Sequence, residues 1–147
     1  MHKKNRLAAR GLLLGLALAF TIPAMAQDTH KISPESLNSY WILLNTKVDA
    51  DVPNSGRNLD KAVCAAVTYT IGSDGSTMNV EVAKVVPDSD LGAVGKSVVS
   101  RFHYGPSLTN KASTPVSTYY VVSFNLPADP AQAKQISDAC KLPGYSS

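Results

Sequence analysis

The middle of the chain carries two stretches in which apolar residues recur at every second position. In residues 63–71 this apolar series is Val63, Ala65, Val67, Tyr69 and Ile71. In residues 78–86 it is Met78, Val80, Val82 and Val86, with Lys84 interrupting it near the end. Period two with β-branched residues is typical of strands that are half-buried against a core. The turn residues of the intervening Gly72-Ser73-Asp74-Gly75 complete the signature of an antiparallel hairpin.

A helical period follows the hairpin. Pro87-Asp88-Ser89-Asp90 ends the second strand and offers capping residues. An apolar series at i, i+3, i+7 and i+11 then predicts one helix face, formed by Leu91, Val94, Val98 and Phe102. Gly92 and Gly95 predict close packing of this helix on the sheet, and Gly105-Pro106 is expected to end it.

Further elements are predicted on both sides of this unit. Ser33-Pro34-Glu35 has the residues of a helix start and predicts a helix over residues 34–45, with an apolar stripe of Leu37, Trp41 and Leu44. A third strand is expected from the alternation of Val116, Tyr120, Val122, Phe124 and Leu126. Asp129-Pro130 predicts the start of a last short helix that ends near Cys140.

These elements predict an α+β fold. The second strand, its crossover helix and the third strand should form a right-handed unit. With the first strand inserted between them, the result is a three-stranded antiparallel sheet of order 2-1-3, with the main helix on one face. Cys64 points to the other face, where a disulfide to Cys140 would hold the last helix. A pair of buried thiols is the alternative.

The N-terminus has the pattern of an export signal. A basic region with Lys3, Lys4, Arg6 and Arg10 precedes an apolar run and Ala24-Met25-Ala26. We expect residues 1–26 to be cleaved and the protein to enter the periplasm. The alternative is an uncleaved inner-membrane anchor, but residues 11–26 span only about 24 Å as a helix, and a bilayer core needs about 30 Å. The remaining chain is divided into a polar segment with a helix (27–56), a domain (57–127) and a helical tail (128–147).

Loss of the signal changes the charge balance. The full chain has 14 Lys and Arg against 11 Asp and Glu, and the signal holds four of the basic residues and none of the acids. The mature chain therefore carries 10 − 11 = −1. No basic run remains, which argues against nucleic acid as a partner.

Five features occur in a fixed order between residues 57 and 127. They are a strand ending in an Asp-Gly turn, a Val-rich second strand, a helix, the run Arg101-Phe102-His103-Tyr104-Gly105-Pro106, and a final strand. The run fits an R-[WF]-x-[FY]-x-P pattern. In this ordered set the chain resembles the TonB C-terminal domain family, the periplasmic end of the energy transducer for outer-membrane transporters.

The resemblance implies a module that binds protein by sheet-edge strand addition. In that family a short extended segment of the transporter pairs with the edge beside the last strand. Carried over, the expected binding edge is Val116, Ser117, Thr118, Tyr119, Tyr120, Val121, Val122, Ser123 and Phe124. Within the motif run of Arg101, Phe102, Tyr104 and Pro106, Phe102 and Tyr104 are expected in the core. Arg101 is expected either to cap the helix end or to orient a partner carboxylate.

The departures from the family limit what the resemblance implies. Family transducers keep a membrane anchor and a long Pro-rich spacer, whereas this chain has a cleavable-looking signal and a short segment that is not Pro-rich. We therefore expect binding of outer-membrane transporter segments or other envelope proteins, linked to transport but without coupling to a motor. The alternative is a structural or assembly protein of the envelope that uses the same fold, and a homodimer is left open. It also stays open whether the predicted N-terminal helix covers the binding edge.

Enzymatic readings find little support in the sequence. The two histidines after the signal, His30 and His103, have no nucleophile and acid at a recognisable spacing, and His103 is expected to be exposed. Two histidines and two distant cysteines do not form a zinc signature. We expect no catalytic residues, no metal site and no cofactor.

Overall fold

The computed structural model describes residues 29–147. The predicted signal, residues 1–26, lies outside this range. The strands are β1 (Trp41–Leu43), β2 (Val63–Ile71), β3 (Thr77–Val86), β4 (Tyr104–Pro106) and β5 (Val116–Phe124). The α-helices are α1 (Leu91–Ser100) and α2 (Pro130–Asp138). No helix within the described range has the length and apolar character needed to cross a membrane.

The main sheet has three antiparallel strands in the order β3-β2-β5, as the sequence predicts. The turn of the β2–β3 hairpin lies at residues 72–75, as predicted. Asp74 accepts hydrogen bonds from the backbone N–H and the hydroxyl of Ser76, and these bonds lower the pKa of its carboxyl group. Gly75 adopts a φ of 81° and lies so close to Tyr104 that a Cβ would stand 1.9 Å from the Tyr104 carbonyl oxygen. Glycine is therefore required at this turn.

Strand β2 is the centre of the protein and is buried on both faces. On one face the apolar side chains of Val67, Tyr69 and Ile71 join the largest core cluster, and α1 packs over this side. On the other face Cys64 is bonded to Cys140 and lies in a second cluster with Tyr119. The predicted disulfide is thus present, and it fastens the segment after α2 to the sheet.

Helix α1 confirms the expected close approach of its glycines to the sheet. A Cβ on Gly92 would lie 2.7 Å from Cγ2 of Val85, and one on Gly95 would lie 3.4 Å from Cβ of Ala65. The helix ends at Ser100, before the predicted stop at Gly105-Pro106, because residues 104–106 form strand β4. Helix α2 begins as expected, with the carboxylate of Asp129 accepting a hydrogen bond from the backbone N–H of Gln132.

The predicted apolar face of β3 is wrong. Two irregularities in the β2–β3 register, between Ala66 and Val67 and between Thr68 and Thr70, interrupt the alternation. The cross-strand pairs are Cys64–Val86, Ala65–Val85, Ala66–Lys84, Val67–Val82 and Thr70–Met78. Val82 and Val85 therefore face α1, whereas Met78, Lys84 and Val86 lie on the opposite face. A bulge adds a residue to one strand, and each added residue exchanges the two faces beyond it.

The predicted helix over residues 34–45 is also wrong. This segment forms only a short 3₁₀ turn, Leu37–Ser39, and then strand β1, which pairs antiparallel with β4 in a second, two-stranded sheet. Trp41 is fully buried in the main core and donates its indole N–H to the Thr114 carbonyl oxygen at 3.1 Å. Leu44, which the helix would have buried, is exposed. Tertiary burial of Trp41 in an extended segment overrides the local helix signals.

Candidate functional site

Strand β5 lies at the edge of the main sheet, and its first residues are already covered. One side of β5 pairs with β2 along its whole length. On the other side, the N-terminal segment (residues 29–33) binds Ser117 in parallel orientation. The Ser117 N–H donates to the His30 carbonyl oxygen at 2.9 Å, and the Ile32 N–H donates to the Ser117 carbonyl oxygen at 2.8 Å. The predicted edge is thus partly closed at its start by the chain itself.

Further along β5 the edge is open. In an antiparallel ladder, backbone groups point alternately toward and away from the neighbouring strand. Because Ser117 points away from β2, the same holds for Tyr119, Val121 and Ser123. Among residues 29–147, no backbone hydrogen bond outside the β2–β5 ladder involves these three residues. Tyr119 is buried, whereas Val121 and Ser123 are half-buried. The accessible unpaired N–H and C=O groups that an added strand requires therefore lie at Val121 and Ser123.

A groove lies beside this open edge on the α1 face of the sheet. We name it the α1-side groove, and it has a volume of about 330 Å³. Its main lining residues are Leu43, Val48, Val98, Phe102, Tyr120 and Val122. The rings of Phe102 and Tyr120 meet edge to face, with centroids 5.1 Å apart. The groove reaches the edge at Val121 and Ser123.

A second groove lies beside the same edge on the opposite face. We name it the α2-side groove, and it has a volume of about 290 Å³. Its lining residues are Pro34, Glu35, Tyr119, Tyr120, Val121, Ser137, Asp138 and Lys141. Hydrogen bonds from Lys134 and Lys141 lower the pKa of Asp138. The bond to Asp138, with a further contribution from the charge of Glu35, raises the pKa of Lys141. This groove therefore holds fixed charges of both signs.

Arg101 holds the outer wall of the α1-side groove. That wall is the loop that follows β1, which has no secondary structure of its own over residues 45–53. The guanidinium group donates to the Asp49 carbonyl oxygen and lies 2.9 Å from a carboxylate oxygen of Asp51. Asn45 adds bonds of 2.6 Å to the Arg101 carbonyl oxygen and to the His103 N–H. The backbone N–H of Arg101 donates to the carbonyl oxygens of Val98 and Val99 and so caps the C-terminus of α1. Its side chain is thus engaged within the chain.

The opposite edge of the sheet, β3, is less suited to strand addition. Its ladder to β2 is irregular at two places, and Asn79 has a φ of 51°. Its exposed residues include Glu81, which pairs with Lys96, and Lys84. Bulges and charges are the features by which natural edges avoid pairing with other strands. The two edges are therefore unequal, and β5 is the one with an open, regular ladder.

The other predicted site residues lie mostly in the core. Phe102 and Tyr104 are buried, as expected, and the hydroxyl groups of Tyr104 and Tyr69 lie 2.6 Å apart. Pro106 is exposed on β4. Val116 and Thr118 on β5 are also buried, and the Thr118 hydroxyl donates to the Ile32 carbonyl oxygen at 2.8 Å.

The two histidines of the described part do not belong to a cluster that could hold a metal ion. His103 is exposed, as expected, and its backbone N–H is held by Asn45. Within residues 29–147 no group of three or more His, Cys, Asp or Glu side chains is placed to hold a metal ion.

The groove walls were not identified from the sequence. Leu43 and Val48 belong to a segment interpreted as helix and loop, and Val98 was placed on the buried face of α1, where it is only half-buried. The apolar triplet Trp41-Ile42-Leu43 is a signal that could have indicated a strand here. The walls themselves form only when segments distant in sequence meet at β5.

Comparison with known proteins gives distant structural similarity and no sequence match. No protein-family model matches the chain, and no curated protein sequence matches it. Among solved structures, the chain is similar to the solution NMR structure of the TonB C-terminal domain of Pseudomonas aeruginosa, with 15% sequence identity and a TM-score of 0.47. The match covers 69% of this chain and 99% of that one.

Proposed function

We propose that this protein is a non-enzymatic binding module that takes up an extended segment of a partner protein by strand addition at β5. The observation that carries the proposal is the pair of residues with accessible unpaired backbone groups, Val121 and Ser123, beside a regular ladder to β2. Strand addition supplies main-chain hydrogen bonds for affinity, and pockets for alternate side chains supply specificity. The two grooves that flank this edge provide such pockets.

The partner we propose is an envelope protein, and the first candidates are N-terminal segments of outer-membrane transporters. This rests on the resemblance of residues 57–127 to the TonB C-terminal domain family and on the export-type N-terminus. The proposed compartment is the periplasm. The proposed module binds without transmitting force, because the sequence carries no long Pro-rich spacer of the kind that family transducers use.

A single substitution tests strand addition at this edge. Val121→Pro removes one outward N–H and places a ring where an incoming strand would lie, and proline is tolerated on sheet edges when its missing N–H faces solvent. Val121→Thr keeps the N–H and is the matched control. Synthetic peptides from transporter N-terminal segments are titrated into the isotope-labelled protein and followed by NMR. We expect shifts at residues 119–123 in the native and Thr forms and none in the Pro form.

The same pair of variants separates binding from self-assembly. Analytical ultracentrifugation over a range of concentrations shows whether the native chain dimerises. If it dimerises through an edge that Val121→Pro blocks, and no transporter peptide binds, the assembly function is correct and the binding function is wrong. If peptides bind equally to the Pro form, strand addition at β5 is wrong.

A further inference from the structure

The face of the main sheet opposite α1 is only partly covered. The segment after the disulfide packs on it as far as Tyr145, whose ring meets that of Tyr119 edge to face, with centroids 4.8 Å apart. In the β2–β5 ladder Thr68 pairs with Tyr119, and Thr70 pairs with Ser117. Because alternate residues of a strand share a face, these hydroxyl side chains lie where the cover ends.

This uncovered part of the face forms the floor of a pocket of about 250 Å³. We name it the hydroxyl pocket. Thr68, Thr70 and Ser117 lie in its floor, and each is half-buried. Lys31 and Tyr145 also line the pocket, and so does Asn79 on β3, where a φ of 51° interrupts the strand. The lining thus combines hydroxyl groups with one amide, one aromatic ring and one ammonium group.

Lys31 is the charged residue of the hydroxyl pocket. Its ammonium group lies 5.9 Å from the centroid of the Tyr145 ring and pairs with no carboxylate among residues 29–147. No Asp or Glu lines the pocket. The carbonyl oxygen of Glu81 accepts from the Thr68 hydroxyl at 3.4 Å, but its carboxylate pairs with Lys96 of α1. The pocket therefore attracts an anion.

The hydroxyl groups of the floor are not saturated by one another. Those of Thr70 and Ser117 lie 3.0 Å apart and share one hydrogen bond. Each hydroxyl has one hydrogen and two lone pairs, so this pair keeps a free donor and free acceptor positions. The Asn79 amide can also both donate and accept. Such a set matches ligand groups that donate and accept at once, which are hydroxyl groups.

We infer that the hydroxyl pocket binds a small hydroxylated monocarboxylate, a sugar acid. Its carboxylate lies against Lys31, its hydroxyl groups bond to the floor, and its ring contacts Tyr145. A phosphate ester suits this pocket less well, because phosphate is usually held by arginine or by a helix N-terminus, and neither lines it. The volume is below the roughly 300–1,000 Å³ of drug-sized sites, so one ring fits rather than a chain of rings.

This site does not depend on strand addition at β5. The N-terminal segment brings Lys31 to the pocket, because the Ile32 N–H bonds to the Ser117 carbonyl oxygen at the covered start of the edge. Val121 and Ser123, the accessible part of the edge, do not line the hydroxyl pocket. Either proposal can therefore fail without the other.

Three probes of matched ring size test the inference. Glucuronate has hydroxyl groups and a carboxylate, glucose has the hydroxyl groups alone, and cyclohexanecarboxylate has the carboxylate alone. Each is titrated at constant ionic strength into the isotope-labelled full chain with its disulfide intact and followed by NMR. We expect glucuronate to shift the amide signals of residues 31, 68–70, 79 and 117. It should bind about fivefold more tightly than either other probe, which is what one exposed ion pair or hydrogen bond contributes.

Matched variants assign the two parts of the ligand. Lys31→Gln should reduce glucuronate binding to the level of glucose, whereas Lys111→Gln, at an exposed lysine outside the pocket, should leave it unchanged. Thr70→Val removes a hydroxyl at nearly unchanged shape. It should weaken glucuronate and glucose alike, by about threefold, and leave cyclohexanecarboxylate unaffected. The spectrum of each variant without a probe verifies that the fold is kept.

Several results would overturn the inference. Equal binding of the three probes, or no shift at the pocket with any of them, removes the assigned ligand class. Equal affinity of Lys31→Gln and Lys111→Gln for glucuronate contradicts the role of Lys31. As a check on independence, Val121→Pro should bind glucuronate as the native chain does, whatever it does to peptide binding.

Discussion

The Ile32 N–H donates to the Ser117 carbonyl oxygen at 2.8 Å, and beyond this bond the N-terminal segment leaves β5. The covered and the open part of the edge are therefore two residues apart. The segment that closes the start of the edge also places Pro34 and Glu35 in the wall of the α2-side groove. The N-terminal segment, which lies outside the three-stranded sheet, thus limits where a partner strand can begin. It also forms part of the groove that side chains of such a strand would enter.

Amide hydrogen exchange should alternate along the open part of β5. The backbone N–H groups of Val121 and Ser123 have no backbone partner among residues 29–147, whereas those of Tyr120 and Val122 bond to the central strand β2. We expect the first set to exchange at least tenfold faster than the second, since protection follows hydrogen bonding and burial. NMR-detected exchange measures this residue by residue. Ser117, which is bonded to His30, should be protected and serves as the internal control.

Arg101 should matter more for the α1-side groove than for stability. Its ion pair with Asp51 is largely exposed, and such pairs contribute about 0–1 kcal/mol to the free energy of unfolding. Arg101→Gln should nevertheless free the loop that carries Val48, which removes a wall of the groove. We expect faster exchange at residues 46–51 and weaker binding of the transporter peptides.

Asp51→Asn separates the two contacts of Arg101. This variant loses the ion pair but keeps the bond from the guanidinium group to the Asp49 carbonyl oxygen. We expect an effect on loop exchange smaller than that of Arg101→Gln. Unchanged loop exchange in Arg101→Gln would show that Asn45 alone holds the wall.

The sequence predicted correctly those elements in which apolar residues recur at one regular spacing. In β2 the alternating residues face the two sides as expected, and the burial of Cys64 opposite α1 made the disulfide to Cys140 predictable. The 2-1-3 strand order followed from general rules of connection handedness. These features depend on local pattern and on chain topology, both of which a sequence contains.

The errors arose where a local pattern is interrupted or overridden. Nothing in residues 77–86 indicates that residues are added to the ladder, yet one bulge places Met78 and the other places Val86 on the face opposite Val82. The Ser-Pro-Glu start predicted a helix, but burying Trp41 against the core requires an extended segment paired with β4. The second error also hid the grooves, because Leu43 and Val48 in one and Pro34 and Glu35 in the other come from this N-terminal part of the chain.

Loss of the disulfide should loosen α2 before the rest of the fold. Cys64 and Cys140 are 76 positions apart, and closing such a loop stabilises by about 4 kcal/mol in the chain-entropy account. Helix α2 has no fully buried residue. Besides the disulfide that follows it, the helix is held by Ile136, which packs on the second cluster, and by the contact of the Ser137 and Ser123 hydroxyls at 3.0 Å. We expect a Cys64→Ser, Cys140→Ser double variant to lose about 2–4 kcal/mol in denaturant unfolding.

Exchange measurements on the same variant locate the effect. Amides of residues 130–140 should exchange faster than the lowered global stability alone explains. Amides of β2 away from Cys64 should exchange only as fast as the lowered global stability requires. A uniform loss of protection throughout the chain would contradict the view that α2 depends on the disulfide.

The buried tyrosine pair should behave non-additively. The Tyr69 and Tyr104 hydroxyls bond to each other in the core at 2.6 Å, so removing one leaves the other without this partner. We expect Tyr69→Phe or Tyr104→Phe alone to cost about 1–3 kcal/mol in the free energy of unfolding. The double variant should cost less than the sum, and a double-mutant cycle by denaturant unfolding measures the coupling. Additive losses would contradict the bond.

The same pair predicts loss of stability in alkali. Burial raises the pKa of Tyr104 from 10.0 to about 12, and it raises the pKa of Tyr69 further. A folded-state pKa above the unfolded value gives stability that is fully present below pH 10 and is lost as the pH rises toward 12. Absorbance at 295 nm should show two tyrosines that ionise only together with unfolding. In the double Phe variant, this late-ionising fraction should be absent.

Two glycines of α1 should respond oppositely to alanine. Both substitutions gain about 1 kcal/mol of helix propensity. At Gly92 the new Cβ would lie 2.7 Å from the branched Val85 side chain, so the strand or helix must shift, at a cost of about 1–3 kcal/mol. At Gly95 the distance to Ala65 is 3.4 Å, which is close to ordinary van der Waals contact. We expect Gly92→Ala to be destabilising by about 1 kcal/mol and Gly95→Ala to be neutral or slightly stabilising in thermal unfolding. Both substitutions are Gly→Ala in the same helix. Equal changes in melting temperature would therefore contradict the close contact between Gly92 of α1 and Val85 of β3.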